Sequence, residues 1–320
     1  MPLDHYISQV HLRKFYSPKL GGLMYAIRKS DLKEFTPNSD SVCRIEDGST
    51  NAYLREDRII EEFLKTIEPN YDKSLDKLET GNIDQECIYT IAGFVAFVGT
   101  CSPAWMRIAS APLKGIVHNT TEILDDKGLL PTPPSDLGGA KLTDLLNTNK
   151  VSISVDSKYP QAIGISQIFS YTSFFGNSIW EVLRNEIIDS PFFTSDYPVA
   201  IEMTKDPRIL NKIIPLSPNL AIRILPDPNF VREKPDFTFS RFASRNKSLK
   251  RKEVITINKL IVQCAESLVF YRDHHDWVYK VVAKNSKFRI EPYTTKMKTN
   301  NGTLMIFTPR IGEIGTASKD

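Results

Sequence analysis

The chain reads as an α+β protein, with a helix-rich N-terminal half packed on a mixed or antiparallel sheet drawn from the C-terminal half. Three observations predict this. Apolar residues recur at helical spacing early in the chain, at Ile59, Ile60, Phe63, Leu64 and Ile67, then at Leu75 and Leu78. The most apolar run, residues 87–101 (CIYTIAGFVAFVGTC), carries no charge and has the length of a buried helix. Beyond it, short β-rich runs dominate, at residues 151–155, 192–194, 199–203, 213–216 and 221–225. No internal repeat is visible, and helices segregated from strands favour α+β over a doubly wound parallel sheet.

Each element has a local reason. Residues 23–27 (LMYAI) follow Gly21-Gly22 and read as a short strand, and the polar stretch through Asp47-Gly48-Ser49 reads as a loop. The stripe from Tyr53 to Lys77 is interrupted by Pro69, which predicts two helices joined by a kink. Asp84 and Glu86 favour a helix N-terminus just before the apolar run, and Pro103 lies where that run stops or kinks. The run is 15 residues long, short of the roughly 20 needed to span a bilayer, so residues 83–108 are expected as a core helix with Phe94, Val95 and Val98 inside. A Pro/Gly cluster at residues 131–139 is the best candidate hinge, a sub-domain boundary within a single domain of residues 1–320. Residues 178–188 and 254–270 carry helical spacing, the second through Ile257, Leu260, Ile261, Cys264 and Leu268.

Composition narrows the class. The chain has 320 residues, 41% hydrophobic and 25% charged, enough to bury a sizeable core. Its net charge of +3, from 41 basic and 38 acidic residues, is too balanced to argue for nucleic acid or a membrane from bulk electrostatics. Four scattered cysteines without a CxxC pair, and an N-terminus without a secretory leader, point to reduced thiols in the cytoplasm.

The candidate site residues start at the N-terminus. His5, Gln9 and Arg13 recur every fourth position, which aligns them on one side of a helix or of a strand. His5 is a candidate general base or metal ligand, Arg13 a fork for carboxylate or phosphate, and Gln9 a neutral donor and acceptor. The plainer alternatives are a satisfied structural histidine and an internal salt bridge. Glu61 and Glu68 lie seven residues apart, so they share a helix face, and with Asp196 they are candidate ligands for a divalent metal; the alternative is a solvated face. Thr194, Ser195 and Asp196 precede Tyr197-Pro198 and read either as part of a substrate site or as a stiffened turn. Ser195 lacks a GxSxG context, which speaks against a serine hydrolase. Between Arg241 and Lys252 six basic residues, Arg245 and Lys250 among them, occur without an acid and near Phe237, Phe239 and Phe242. Such a stretch can track a nucleic-acid backbone, although an exposed mobile loop is the simpler expectation. In His274-His275-Asp276 adjacent side chains diverge, which argues against a metal cluster.

The motif HYISQVHLRKF at residues 5–15 resembles the opening signature of the bacterial family DUF4238, a domain of unknown function. The resemblance continues through Ile60-Glu61, Leu64 and Ile67-Glu68, through FVAFVGTCSPAWM at residues 94–106, and through FTSDYPV at residues 193–199 and Pro215-Leu216-Ser217-Pro218. Ser8 stands where the family often has Pro, and Cys101 where it often has Arg; Ser8 is still able to cap a helix beginning at Gln9. The resemblance implies a fold group and no chemistry. The residues themselves predict that His5, Gln9, Arg13, Glu68 and Asp196 meet in one cleft. That cleft would suit a metal-dependent hydrolase, nuclease-like, acting on a phosphodiester or nucleotide. The rival expectation is a binding or sensing module whose polar cluster is structural and whose basic segment meets a partner.

Overall fold

The computed structural model describes residues 3–131, 133–206, 209–227, 234–299 and 302–315. The chain opens with strand β1 (Leu3–His5) and a short helix, α1 (Gln9–Arg13), followed by β2 (Tyr25–Arg28), β3 (Glu34–Phe35) and β4 (Arg44–Glu46). β4 returns antiparallel to β1 and sets Arg44 opposite His5. Next come α2 (Ile59–Ile67), one 3-10 turn over Glu68–Asn70, and α3 (Tyr71–Thr80). Pro69 lies at the start of the 3-10 turn, where no backbone donor is needed, so the expected kink is a tightened joint between two helices.

Helix α4 (Gln85–Cys101) starts at Asp84, whose carboxylate accepts the Cys87 N–H at 2.9 Å. Phe94, Val95 and Val98 are buried, as their spacing predicts. The helix does not continue to Ile108. Ser102 ends it and caps a new one, α5 (Pro103–Asp126), by accepting the Trp105 N–H at 3.3 Å, with Pro103 in the first turn. The two axes bend by 59°, and among the described residues no single helix is long and apolar enough to cross a membrane.

Past the Pro/Gly cluster, α6 (Leu142–Asn147) folds back on α5, with the Thr143 hydroxyl donating to Asp125 at 2.6 Å. Residues 151–155 form no strand: they alternate half-buried and exposed, but no neighbouring strand pairs with them among the described residues. Helices α7 (Lys158–Ser166) and α8 (Ile168–Gly176) then pack against α4.

The C-terminal half supplies β5 (Ile179–Arg184), β6 (Thr194–Ser195), β7 (Ala200–Met203), β8 (Leu210–Pro215), β9 (Leu220–Leu225) and β10 (Ala243–Ser248). A five-stranded sheet runs β10-β5-β9-β8-β7, antiparallel except for the parallel β10–β5 pair. Two expectations are corrected here. Residues 178–188 hold strand β5 rather than a helix; Trp180 to Leu183 are all buried, and burial on both faces removes the alternation by which a strand is recognised. The basic stretch is not a loop: its centre is the edge strand β10, largely exposed as expected. Helix α9 (Arg251–Cys264) follows and stops before β11 (Leu268–Tyr271), which inserts between β2 and β6 in a second sheet of order β3-β2-β11-β6. Helix α10 (Asp276–Asn285) and a long hairpin, β12 (Phe288–Thr299) with β13 (Gly302–Glu313), complete the order. The molecule is α+β, and one continuous hydrophobic cluster links Ile7 in the N-terminal segment, α4, both main sheets, and Ile290.

Candidate functional site

Strand β1, helix α1, helix α2 and the 3-10 turn after it enclose an open cleft of about 630 Å³. Its walls include Asp4, His5, Gln9, Arg13, Glu61, Lys65 and Glu68. The arrangement follows from how α1 is anchored. Leu12 and Phe15 are fully buried, which turns Gln9 and Arg13, one helical turn apart, to the opposite side. The Arg13 guanidinium donates to Gln9 Oε1 at 3.0 Å and, among the described residues, pairs with no acid; the Ser39 hydroxyl donates to the same oxygen at 3.2 Å. The Nε2 of His5 is buried and finds no hydrogen-bond partner among the described residues.

The carboxylates of the cleft are already held. Arg58, which the sequence reading passed over, donates to Glu61 through Nε at 3.0 Å, to Asp4 at 3.1 Å and to the Thr50 hydroxyl at 2.6 Å. Hydrogen bonds to Glu61 and Asp4 hold its guanidinium above the usual range, so it stays charged. Asp4 also accepts the Ser49 N–H at 2.9 Å. Glu68 accepts a hydrogen bond from the Ser8 hydroxyl at 2.6 Å. Ser8 therefore does not cap α1 with its side chain, contrary to expectation; the hydroxyl is committed to Glu68 instead.

The second half of the expected cluster lies elsewhere. Asp196 does not line the cleft; it is buried behind β6 and accepts the N–H groups of Glu266, Ser267 and Leu268 at 2.9, 2.7 and 3.0 Å. Burial pushes its carboxyl up, against the pull of these amides and of Lys29, whose ammonium donates to the carbonyls of Ala265 and Phe288. Its work is to fold the turn between α9 and β11. Thr194 and Ser195 are likewise fully buried, Thr194 against His11 and Ser195 accepting the Tyr197 N–H at 3.2 Å, so neither is placed to touch a substrate in the cleft. Arg245 lies on β10, forked onto Glu181, and the Lys250 N–H donates to Glu253 at 2.9 Å; neither lines the cleft. Among the described residues no three His, Cys, Asp or Glu side chains come together as a metal site, so Glu61, Glu68 and Asp196 do not form the expected set. His274 lies 3.6 Å from Glu34, and the ring of His275 stacks on Trp277.

The histidine that does reach the Thr194-Ser195-Asp196 segment is His11. It is fully buried, with Nδ1 at 2.8 Å from the Tyr71 hydroxyl and Nε2 at 2.8 Å from the Thr194 hydroxyl, and burial pulls its pKa down to about 3. A neutral ring in that setting ties α1 to α3 and β6. Its signal was present in the spacing Ile7, His11, Phe15, which places it on the apolar stripe opposite Gln9 and Arg13.

Comparison with curated proteins and with solved structures finds no match. The family described as "Protein of unknown function (DUF4238)" matches residues 4–275, a stretch that contains the cleft and the Asp196 turn and stops before the β12–β13 hairpin. The chain belongs to that family.

Proposed function

We propose that the protein is a hydrolase acting on a phosphodiester or nucleotide bound in the cleft beside α1. The observation that carries this reading is that one cleft is lined both by His5, whose buried Nε2 has no partner among the described residues, and by Arg13, whose guanidinium pairs with no acid among them. Arg13, steadied by Gln9, offers its fork to phosphate oxygens, and Lys65, paired with Glu62 at 2.6 Å, also lines the cleft wall. The His5 imidazole at the cleft wall exchanges the proton of the attacking water or the leaving oxygen, and Glu68, oriented by Ser8, accepts hydrogen bonds from water beside it. Arg58 pairs with both Asp4 and Glu61 and halves the negative charge that they present to the ligand. A cytoplasmic setting fits the four cysteines, all buried and free.

The experiment is a turnover screen of the purified chain on bis(p-nitrophenyl) phosphate, nucleoside triphosphates, cyclic nucleotides and single-stranded nucleic acid, with Mg²⁺ and with chelator. Turnover that falls about 100-fold or more in His5→Ala and in Arg13→Ala supports the proposal. Absence of turnover on every substrate, or unchanged rates in both variants, overturns it.

A second reading, a binding or sensing module, is favoured by one observation: Glu61, Glu68 and Gln9 are already engaged by Arg58, Ser8 and Arg13, so the cleft is pre-organised without a reactive carboxylate. In that case the exposed basic edge β10 would meet the partner, and nucleotides would bind in the cleft without turnover.

A further inference from the structure

Strand β10 is an open edge of the larger sheet. Among the described residues it pairs with β5 alone, in parallel register from Ala243 opposite Ile179 to Ser248 opposite Arg184. Leu249, which continues the strand, donates its N–H to the Arg184 carbonyl at 2.9 Å. Successive backbone groups of a strand point to opposite sides, so Ala243, Arg245 and Lys247 also turn their amides toward β5, and Ser244, Asn246 and Ser248 turn theirs outward. No other strand of the described residues meets those outward groups.

Folded proteins shield such edges with proline, with bulges, with very short strands or with charges that project over the edge. β10 is six residues long, has no Pro or Gly, and pairs with β5 residue for residue without a bulge. Its two charges, Arg245 and Lys247, are two residues apart and so share one face of the sheet. There Arg245 donates to Glu181 of β5 through Nε at 2.9 Å, and Lys247 lies 2.8 Å from Glu253 of α9, so neither is spread across the edge. The charge around the strand has one sign: residues 241–252 hold six cations and no acid. Lys250 and Lys252, just beyond its end, make no salt bridge among the described residues. A nucleic-acid strand is the less suitable occupant, because the aromatic residues nearby are turned inward. Phe239 is buried, the ring of Phe242 packs on Trp180, and that of Phe237 packs on Tyr89 and Phe169, which leaves no platform for stacked bases.

We propose that β10 docks an acidic, extended peptide segment of a partner protein, which joins the sheet as its next strand. Backbone hydrogen bonds to Ser244, Asn246 and Ser248 supply the attachment and are indifferent to sequence. Side chains supply the selection: carboxylates two residues apart on the peptide stand on the face of Arg245 and Lys247, and an acid at the peptide's end meets Lys250 or Lys252. Arg245 keeps a side-chain exposure of 63%, so its pairing with Glu181 does not close it to a second carboxylate. This surface is separate from the α1 cleft, and the proposal stands whatever the chemistry there.

The test is fluorescence anisotropy of the purified full chain with a labelled peptide, Thr-Glu-Val-Glu-Val-Glu-Thr, beside its counterpart with Lys for Glu and a single-stranded oligothymidylate. Saturable binding of the acidic peptide, about tenfold or more tighter than either control, is the expected result. Asn246→Pro removes one outward amide hydrogen at a position where an edge strand tolerates proline, and should weaken the peptide about tenfold or more, whereas Asn246→Ala keeps the backbone and should bind as wild type. Hydrogen exchange on the wild-type chain reads the same contact without a variant: the amides of Ser244, Asn246 and Ser248 should slow about tenfold or more when the peptide is added, and it decides the matter if Asn246→Pro does not fold. Equal or tighter binding of the lysine peptide or the oligothymidylate, full binding by a folded Asn246→Pro, or peptide binding that leaves those three amides unprotected overturns the proposal.

Discussion

The two histidines of the N-terminal motif, six residues apart, have opposite surroundings because β1 ends at the cleft and α1 turns its apolar side to the core. His5 lines an open cleft and its buried Nε2 has no partner among the described residues, while His11 is enclosed between two hydroxyls with its pKa near 3. The unfolded chain holds histidine near pKa 6.5. Below about pH 6.5 it therefore takes up a proton that folded His11 refuses, so stability present above that pH is lost as pH falls toward 3, at a slope of up to about 1.4 kcal/mol per pH unit from this group. Urea unfolding between about pH 7 and pH 5 checks this: His11→Gln should start less stable and show a flatter dependence than wild type, and parallel curves would contradict the assignment. Asp196 gives a complementary prediction. Its carboxylate satisfies three backbone N–H groups in a buried turn, so Asp196→Ala should lower unfolding free energy by roughly 2–4 kcal/mol in chemical denaturation. Sequence alone did not separate these roles, because a polar residue in a motif looks the same whether it faces a ligand or the backbone of a neighbouring turn.

At the scale of elements, α4 is the post around which the helical layer is arranged, and its glycines differ in purpose. A Cβ at Gly93 would run into Ile67 and Phe63 of α2, so Gly93→Ala should destabilise by about 1–3 kcal/mol in thermal or urea unfolding even though alanine is the better helix former. The junction at Ser102 has its own test: Ser102→Ala removes the cap of α5 and should cost about 1 kcal/mol. Helices α2, α3 and α4 were legible because their apolar residues keep a 3.6 period and their ends carry Asp84, Pro69 and Gly81. Strand β5 was not, since it is short, Trp180 to Leu183 are buried on both faces, and the run is compatible with either period. Residues 151–155 mislead in the opposite direction: they have the alternation of a strand but no partner, and pairing is a property of the tertiary structure. In the candidate site, spacing aligns His5, Gln9 and Arg13 with one another and Glu61 with Glu68, while the meeting of the two segments in one cleft is supplied by the tertiary structure. The displacement of Asp196 depends on β11 inserting beside β6, a contact between distant segments that no local pattern encodes.

Across the whole molecule, the two sheets and the C-terminal hairpin are joined to the helical layer by a compact set of charges. Arg107 on α5 forks onto Glu266 with both contacts at 2.8 Å and reaches Glu291 on β12 at 2.8 Å, while Arg289 bridges Glu266 and Glu291. These groups are partly exposed, so their worth is that of charge-assisted hydrogen bonds in a network, and Arg107→Ala should cost about 2–3 kcal/mol in unfolding free energy. This frame holds the Asp196 turn on one side of the molecule and leaves the α1 cleft open on its own surface. The proposed function at the cleft and the structural role of the turn are separated by one paired measurement: phosphodiester turnover and denaturation midpoint for His5→Gln and Asp196→Asn beside wild type. If the cleft hydrolyses phosphodiesters as proposed, His5→Gln keeps its midpoint and loses turnover, and Asp196→Asn unfolds more readily while its folded fraction retains turnover. A stable Asp196→Asn without activity, or a His5→Gln that unfolds early and still turns over substrate at the wild-type rate, would contradict it.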